Sequence, residues 1–405
     1  MLEMIELEQA RRLIVERGRL TGIETVDLMA AHGRVLAENI AAPVDQPSFN
    51  RSPLDGYALK AADTQGASPA APAVLKVIDT IYAGGYSQEK VVGGTAVRLM
   101  TGSPIPEGAD CVIRQEDTRA GEGRVEILKE HSPGDNYCFK GEYFTKGDAV
   151  LAQGDFLGAA QIGVLAGLGI AAVPVYQRPV AAIISTGDEL IEPGTAPAPG
   201  RVYSSNYYTI ACRLRECGVT VLPTGILPDE REAIAGAIAA AAEKADFIVT
   251  TGGVSVGEKD LLKEVLENLG AEMVFWKVNI KPGSPALFSV LEGIPVISLS
   301  GNPLAASVTF ELLLCPLIKK ITGSSAPGRT TLQAVLQSDF NKKSPVRRAL
   351  RGRLTQDDSG RALVTIIDPE QSPGNLQVVL ESNCYIDIAT GCSGLKRGEL
   401  VPVII

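Results

Sequence analysis

Histidine is the scarcest of the reactive side chains. The chain has two, His32 and His131, in 405 residues. A histidine-rich zinc site is thereby excluded, and a Ser-His-Asp triad would have to recruit one of these two. Both sit in loop-like contexts, AAHGR and KEHSPGD, and are expected at the surface. Paired cysteine motifs are missing as well. Cys111, Cys138, Cys212, Cys217, Cys315, Cys384 and Cys392 form no CxxC and are odd in number. They read as small buried hydrophobes of a reducing compartment, not as a disulfide framework. There is no basic surplus: 38 Lys and Arg stand against 47 Asp and Glu, a formal charge of −9. That excludes broad, non-specific nucleic-acid binding but leaves room for a small basic pocket that takes an anion. Long apolar runs are absent too. The stretch 157–176 is rich in Ala, Gly and Leu, yet Gln161, Pro174 and four glycines interrupt it. The amino terminus is a charged helical pattern without an apolar signal core. Neither a membrane span nor a secretory leader is expected, and a cytoplasmic location follows.

What is present describes a folded chain of several domains. Hydrophobic residues make up 45% and charged residues 21%, and this length suggests two to four units at roughly 100–200 residues each. Residues 1–40 read as helical, with Ile5, Leu13 and Ile14 on one side. From about 45 to 145 glycine, proline and short strands dominate. Residues 146–176 return to a mixed helical pattern. From 178 to 322 continuous apolar strands alternate with helices, the mark of a parallel sheet covered on both faces. Three of these strands end in a polar or glycine-rich turn that opens a helix, and ligands of open α/β sheets bind at such ends. The tail is strand-rich, with turns at DDSG, ATG and KRGE. The expected fold is therefore multidomain α/β plus β. Residues 1–44 and 146–177 form a helical linking domain, interrupted by a β-rich insertion at 45–145. A three-layer αβα domain occupies 178–323, and a small β barrel 324–405.

Five segments carry chemistry. In TTGGVSVGEKD (250–260) a buried strand delivers Gly252, Gly253 and Gly257 to a helix start, with hydroxyls from Thr251 and Ser255. Bare glycines let backbone N–H groups approach a phosphate, although a tight turn alone would explain two of them. WKVNIKPG (276–283) puts Lys277, Asn279 and Lys281 at alternating positions, hence on one face of an extended strand. Two lysines there suit phosphates or an oxyanion, or else protect an edge strand. In STGDEL (185–190) Asp188 and Glu189 follow a strand end, Asp260 closes the glycine loop, and Asp229 follows another strand. Together the four carboxylates suit Mg²⁺ held beside substrate oxygens; singly each could cap a helix, Asp229 above all. Finally, SFNRSPLDGYAL (48–59) crowds Arg51, Ser52, Asp55 and Tyr57, and MTGSPIPEGADCVIRQE (100–116) offers Thr101 and Glu116.

RSPLDGYA, MTGSPIPEGAD, STGDEL, TTGGVSVGEKD, WKVNIKPG and SGNP follow one another in an order and spacing that resemble one family, the MoeA and gephyrin E-domain type molybdopterin molybdotransferases. The resemblance runs from the amino-terminal helix to the carboxyl-terminal barrel. It implies insertion of molybdate into adenylylated molybdopterin, giving molybdenum cofactor and AMP. It also implies a homodimer with a shared site, and receipt of the pterin from a molybdopterin adenylyltransferase. The matching positions imply catalytic roles for Asp55, Glu189, Asp260, Lys277 and Lys281. They imply binding roles for Thr101, Thr251, Gly252, Gly253, Ser255, Gly257, Asn302, Arg351 and Ser372, with Arg351 in the molybdate region. Mg²⁺ would lie among Asp188, Glu189, Asp229 and Asp260. The chain departs from the family pattern at Tyr143, Ser284, Ser300 and Pro373. A CinA-like nucleotide hydrolase and a non-catalytic pterin carrier share the central domain and are the competing functions.

Overall fold

The apolar runs of the chain's middle assemble into a seven-stranded sheet. The computed structural model describes residues 1–254, 261–325, 330–367 and 374–405. The spatial order of the sheet is Leu2–Ile5, Glu272–Val278, Leu287–Leu291, Ile294–Leu299, Phe247–Thr251, Val180–Thr186 and Thr220–Leu227. All neighbours run parallel except at Leu287–Leu291, which is antiparallel to both flanking strands. Successive side chains of a strand go to opposite faces. Ala181, Ile183, Phe247 and Val249 therefore enter one core, and Ala182, Ile184 and Ile248 the other. Helices Leu7–Arg17 and Ser205–Glu216, with the long helix 303–321, cover the first face. Helices Arg231–Ala242 and Leu262–Asn268 cover the second. Each large apolar side chain fully buried in these layers contributes about 1.5–3 kcal/mol before entropy. This is the expected three-layer αβα arrangement.

Residues 1–40 are not all helical. Leu2–Ile5 is a parallel edge strand of the central sheet, with Ile5 opposite Val278. Helical periodicity begins only at Leu7, which is buried with Ala10 and Ile14; Ile5 precedes that stripe and pairs instead. The turn after Thr186 also departs from expectation. It leads into a two-residue strand, Leu190–Ile191, paired with Val202–Tyr203, and the next helix waits until Ser205.

Pro316 shapes the long helix. Its missing N–H and its ring disfavour an ordinary turn before it. Residues Phe310–Leu314 widen into a π-helical turn, in which the Cys315 N–H reaches the Phe310 carbonyl. Proline leaves the Leu312 carbonyl, one turn back, without its usual donor. Arg11 Nε donates to that carbonyl at 2.8 Å, from the helix packed alongside.

The carboxyl-terminal strands close into a barrel. Arg347–Gln356 pairs on one side with Ala362–Ile366 and on the other with Cys384–Ile388, and Thr331–Leu336 and Leu400–Ile404 complete the ring. Its interior is so tight at Gly352 that a Cβ there would lie 2.9 Å from Val364 and 3.0 Å from Ile386. The short strand Ile280–Lys281 joins Arg347–Gln356 in parallel and ties the central domain to the barrel.

Residues 39–152 and 159–172 form a separate compact unit, the rest of the chain the other. The separate unit holds a six-stranded sheet in the order Cys111–Arg114, Gly56–Leu59, Thr95–Leu99, Ala73–Ile81, Arg124–Ile127, Thr118–Gly121. His131, expected at the surface, has a side chain only 7% exposed. Its loop is pinned by a 2.9 Å bond from the His131 N–H to Thr64 Oγ1, and its ring Nδ1 sits 3.0 Å from Asp135 Oδ2. His32 is exposed as expected. All seven cysteines are free thiols. Among the described residues no helix is long and apolar enough to cross a membrane.

The Arg11 contact yields a stability test. Arg11→Met should cost about 1.5–3 kcal/mol, the range for a hydrogen bond from a charged group. In a Pro316→Ala background, where residue 316 regains its N–H, the same substitution should cost less. Equal costs in both backgrounds, by denaturant unfolding, would show that Arg11 does not substitute for the missing donor.

Candidate functional site

Three parallel strands end level with one another. Ser185 stands opposite Thr251, and Thr251 opposite Leu299. The loops that follow therefore emerge side by side at the carboxyl edge of the sheet. Gly252 lets two of them touch: its φ is +93°, and a Cβ there would lie 2.4 Å from the Thr186 carbonyl oxygen. Any other residue would be strained and would push the loops apart. Gly253 follows at φ +63°. Beneath them Ser185 Oγ and Thr251 Oγ1 share a buried 2.9 Å hydrogen bond.

Above these ends lies a cleft of ≈ 440 Å³, bordered by Thr186, Glu189, Thr251, Gly252, Ser204 and Asn206 among others. This volume suits a small-molecule ligand. Its lining holds three buried polar atoms that lack a hydrogen-bond partner among the described residues: Thr186 Oγ1, Ser204 Oγ and Asn206 Oδ1. Buried polar atoms are ordinarily satisfied, so three orphans around one cleft mark a place for a polar ligand. The other end of the Asn206 amide is engaged, its Nδ2 donating to the Gly301 carbonyl at 2.8 Å. Ser204 and Asn206 escaped sequence reasoning. Their only signal was the polar start of an amphipathic helix, which reads equally well as a cap.

Two further hollows adjoin the loop 300–303. One, of ≈ 380 Å³, is lined by Lys281, Ser284, Ser300 and Asn302. A small one, of ≈ 30 Å³, is lined by Pro282, Asn302 and Arg351. Asn302 also has a structural task, since its side chain accepts from the Leu304 and Ala305 N–H groups and caps the long helix. Thus Thr251, Gly252 and Glu189 meet at the cleft, and Asn302 borders both the hollow of Lys281 and that of Arg351.

The two lysines do not share a simple strand face. Strand Glu272–Val278 shifts register between Met273 and Phe275, Lys277 has φ +66°, and Asn279 interrupts the extended run before Ile280–Lys281. Strict alternation fails because the left-handed residue rotates the chain. Lys277 Nζ lies over the Trp276 ring, 3.8 Å from its centroid, and 3.9 Å from Glu3. Trp276 Nε1 in turn donates to the Val254 carbonyl, so the glycine loop and Lys277 are tied through one ring. Asn279 Nδ2 donates to Glu6.

Asp229 is not a helix cap. The cap of Arg231–Ala242 is Glu230, without a side-chain bond. Instead Asp188 Oδ1 accepts from the Asp229 N–H at 3.1 Å, and Asp229 Oδ2 from the Asp188 N–H at 3.3 Å. The turns after two neighbouring strands are thereby clasped, and two of the expected metal ligands stand together. The Glu189 carboxylate lies over Gly187, both oxygens 2.7 Å from where a Cβ would be. Among the described residues no three His, Cys, Asp or Glu side chains are grouped closely enough to hold a metal ion. Asp260, Ser255, Gly257, Ser372 and Pro373 lie outside the described residues.

In the separate unit Asp55 and Thr101 form a pair. Asp55 Oδ1 accepts from Thr101 Oγ1 at 2.7 Å and from the Thr101 N–H at 2.6 Å. These bonds, the hydroxyl first, hold the exposed Asp55 carboxyl below the usual carboxylate range. Nearby, the Arg51 guanidinium lies 5.7 Å from the Tyr143 ring centroid, and Tyr143 OH accepts from the Cys138 thiol. Tyr143, a departure from the family pattern, thus anchors Arg51.

The fold and cleft define an α/β protein with a polar cleft of small-molecule size at strand carboxyl ends. Three family sequence models match the chain. They are the MoeA N-terminal region (domain I and II) at residues 5–169, the probable molybdopterin binding domain at 182–320, and the MoeA C-terminal region (domain IV) at 333–405. The molybdopterin molybdenumtransferase of Bacillus subtilis strain 168 is 36% identical over 405 residues, covering 99% of this chain and 94% of the relative. That of Staphylococcus aureus strain MSSA476 is 35% identical over 398 residues, covering 98% and 94%. The crystal structure of a molybdopterin biosynthesis MoeA protein from Pyrococcus horikoshii OT3 superposes with a TM-score of 0.85 at 30% identity, covering 99% of this chain and 100% of that one. The chain belongs to the MoeA family of molybdopterin molybdenumtransferases.

Thr101→Val should raise the pKa of Asp55 toward the ordinary value of about 3.9, but not fully, because the Thr101 N–H bond persists. Because the folded value is depressed, whatever stability this pair adds is present at neutral pH and fades as pH falls through that value. A carboxyl-detected NMR titration of both proteins reads the shift; an unchanged Asp55 would show that the hydroxyl does not hold it down.

Proposed function

We propose that the chain is a molybdopterin molybdotransferase, a transferase that inserts molybdate into adenylylated molybdopterin and releases AMP, the last step of molybdenum cofactor synthesis. The observation that carries this is the polar cleft: three unpartnered buried atoms and a glycine-lined backbone, at the strand ends where α/β folds take ligands. Gly252, in the cleft lining, presents backbone without a side chain to a phosphate, with Thr251 and the cleft hydroxyls binding the pterin side. Lys281 offers a mobile point charge to a phosphate or an oxyanion, and Arg351 a rigid fork for the molybdate oxygens. Lys277, steadied on Trp276, is the second cation.

The carboxylate chemistry of Asp188, Glu189 and Asp229 fits a hard cation. With Asp260 these residues would hold Mg²⁺, which supplies charge neutralisation where the phosphoryl bond breaks. Asp188 and Asp229 keep two turns clasped, and Glu189 faces the cleft. Asp55, kept ionised by Thr101, belongs to the same reaction. In this proposal a homodimer completes the site, the pterin arrives from an adenylyltransferase, and the protein works in the cytoplasm as four domains with the expected boundaries.

Purified protein given adenylylated molybdopterin, molybdate and Mg²⁺ should release AMP only when molybdate is present. Release without molybdate would favour the nucleotide hydrolase, and tight pterin binding without release the carrier. Lys281→Ala should weaken substrate binding by about 1.5–3 kcal/mol with little change in melting temperature. Asp260→Asn should fold normally yet slow AMP release at limiting Mg²⁺ at least about tenfold, or ~1.4 kcal/mol. Wild-type release by the Asn variant would remove Asp260 from the metal site.

Sedimentation velocity at micromolar concentration should show a dimer. A monomer that still releases AMP would refute the shared site.

A further inference from the structure

Two arginines four residues apart on the strand Arg347–Gln356 are treated in opposite ways. Arg347 is compensated twice: it donates to both carboxylate oxygens of Asp387 and also to Glu8. Those carboxylates raise its pKa, Asp387 most. Arg351 has no carboxylate partner among the described residues. Its Nη1 donates to Ser382 Oγ at 2.9 Å, its Nη2 to Ser307 Oγ, and its plane lies over the Tyr385 ring, 5.0 Å from the centroid. Ser307 Oγ and Tyr385 OH are 3.3 Å apart, so ring and hydroxyl brace each other. The Arg351 Nε is buried and has no partner among the described residues. A guanidinium held on three sides by neutral groups, with three of its five N–H groups uncommitted among the described residues and a hollow beside it, keeps its full charge for an anion.

We infer that Ser307 and Tyr385 are positioning residues for oxyanion binding. They fix the plane and direction of the Arg351 fork through a hydroxyl and an aromatic face, without neutralising it. Arg351 supplies the charge, and its partners supply the angle. This rests on the proposed assignment of Arg351 to molybdate. Ser307 lies one turn beyond the helix-capping Asn302, and Tyr385 comes from the neighbouring barrel strand, opposite Arg351 in register. Helix and barrel must therefore be correctly joined before Arg351 is held at the hollow that it lines. A purely structural role would predict a different outcome, because neither side chain is needed to compensate a buried charge.

The test measures inorganic molybdate binding by equilibrium dialysis, and KM for molybdate against kcat for AMP release. Ser307→Ala and Tyr385→Leu should each weaken molybdate binding about five- to tenfold, the scale of one charge-assisted contact. KM should rise correspondingly and kcat change little. Tyr385→Phe keeps the ring and should restore most of the affinity. Arg351→Met should abolish binding. If Arg351→Met abolishes binding while Ser307→Ala and Tyr385→Leu bind as wild type, the positioning inference is wrong and the assignment of Arg351 stands. If wild type binds no molybdate, or Arg351→Met binds it normally, both are wrong. Equal losses of melting temperature and of kcat in Tyr385→Leu and Tyr385→Phe would reduce Tyr385 to a core residue.

Discussion

The site depends on one close approach, that of Gly252 to the carbonyl of Thr186. Parallel pairing brings the ends of Val180–Thr186, Phe247–Thr251 and Ile294–Leu299 to the same level, but level ends do not by themselves make a cleft. The loops must leave the sheet in compatible directions. With a residue of φ +93° and no Cβ between them, the glycine loop folds across the neighbouring strand end and the cleft opens beyond it. The clasp between Asp188 and Asp229 does the same for the next pair of strands. Backbone contacts of this kind are stiff, so the groups facing the ligand are held before it arrives, which reduces the ordering that binding would otherwise require.

How much of this was legible in the sequence follows from the range of each interaction. The strands, the helices after 205 and 231, the barrel and the glycine loop are local, set by periodicity and turn residues, and they were readable. Asp55 and Thr101 were each readable as candidates from their motifs, but their pairing across 46 residues was not. The lysine face was not, because alternation assumes an unbroken strand and Lys277 takes a left-handed φ of +66°. Asp229 looked like a cap because a cap is the local option, whereas its partner lies 41 residues earlier. Ser204 and Asn206 became visible only as orphaned atoms in a cavity, a property that no linear pattern contains.

Joints between layers depend on similarly distant compensation. Pro316 widens the long helix, and Arg11, some 300 residues earlier in the chain, answers the carbonyl left without a donor. Burial pulls the Arg11 pKa down, with the charge of Arg347 adding to it. Arg347 is itself held by Asp387 and Glu8. Amino-terminal helix, long helix and barrel thus share one network of charges. Such a network costs desolvation energy and is destabilised more by losing one member than by losing a matched pair.

The cations divide into two kinds, and the division carries the functional argument. Arg34, Arg213 and Arg347 serve the scaffold; each meets a carboxylate, Glu24, Glu311 and Asp387 respectively. Arg351 lines the small hollow and lies over the Tyr385 ring with no carboxylate partner among the described residues, and Lys277 lies over Trp276 with Glu3 3.9 Å away. An aromatic face orients a cation and yields about 0.5–2 kcal/mol, while leaving its charge intact for an incoming anion. In a chain with a formal charge of −9 there is no shortage of carboxylates that could have paired with Arg351. Ser307, Ser382 and Tyr385 stand around it in their place. A guanidinium surrounded in this way gains most from a ligand that brings the missing negative charge.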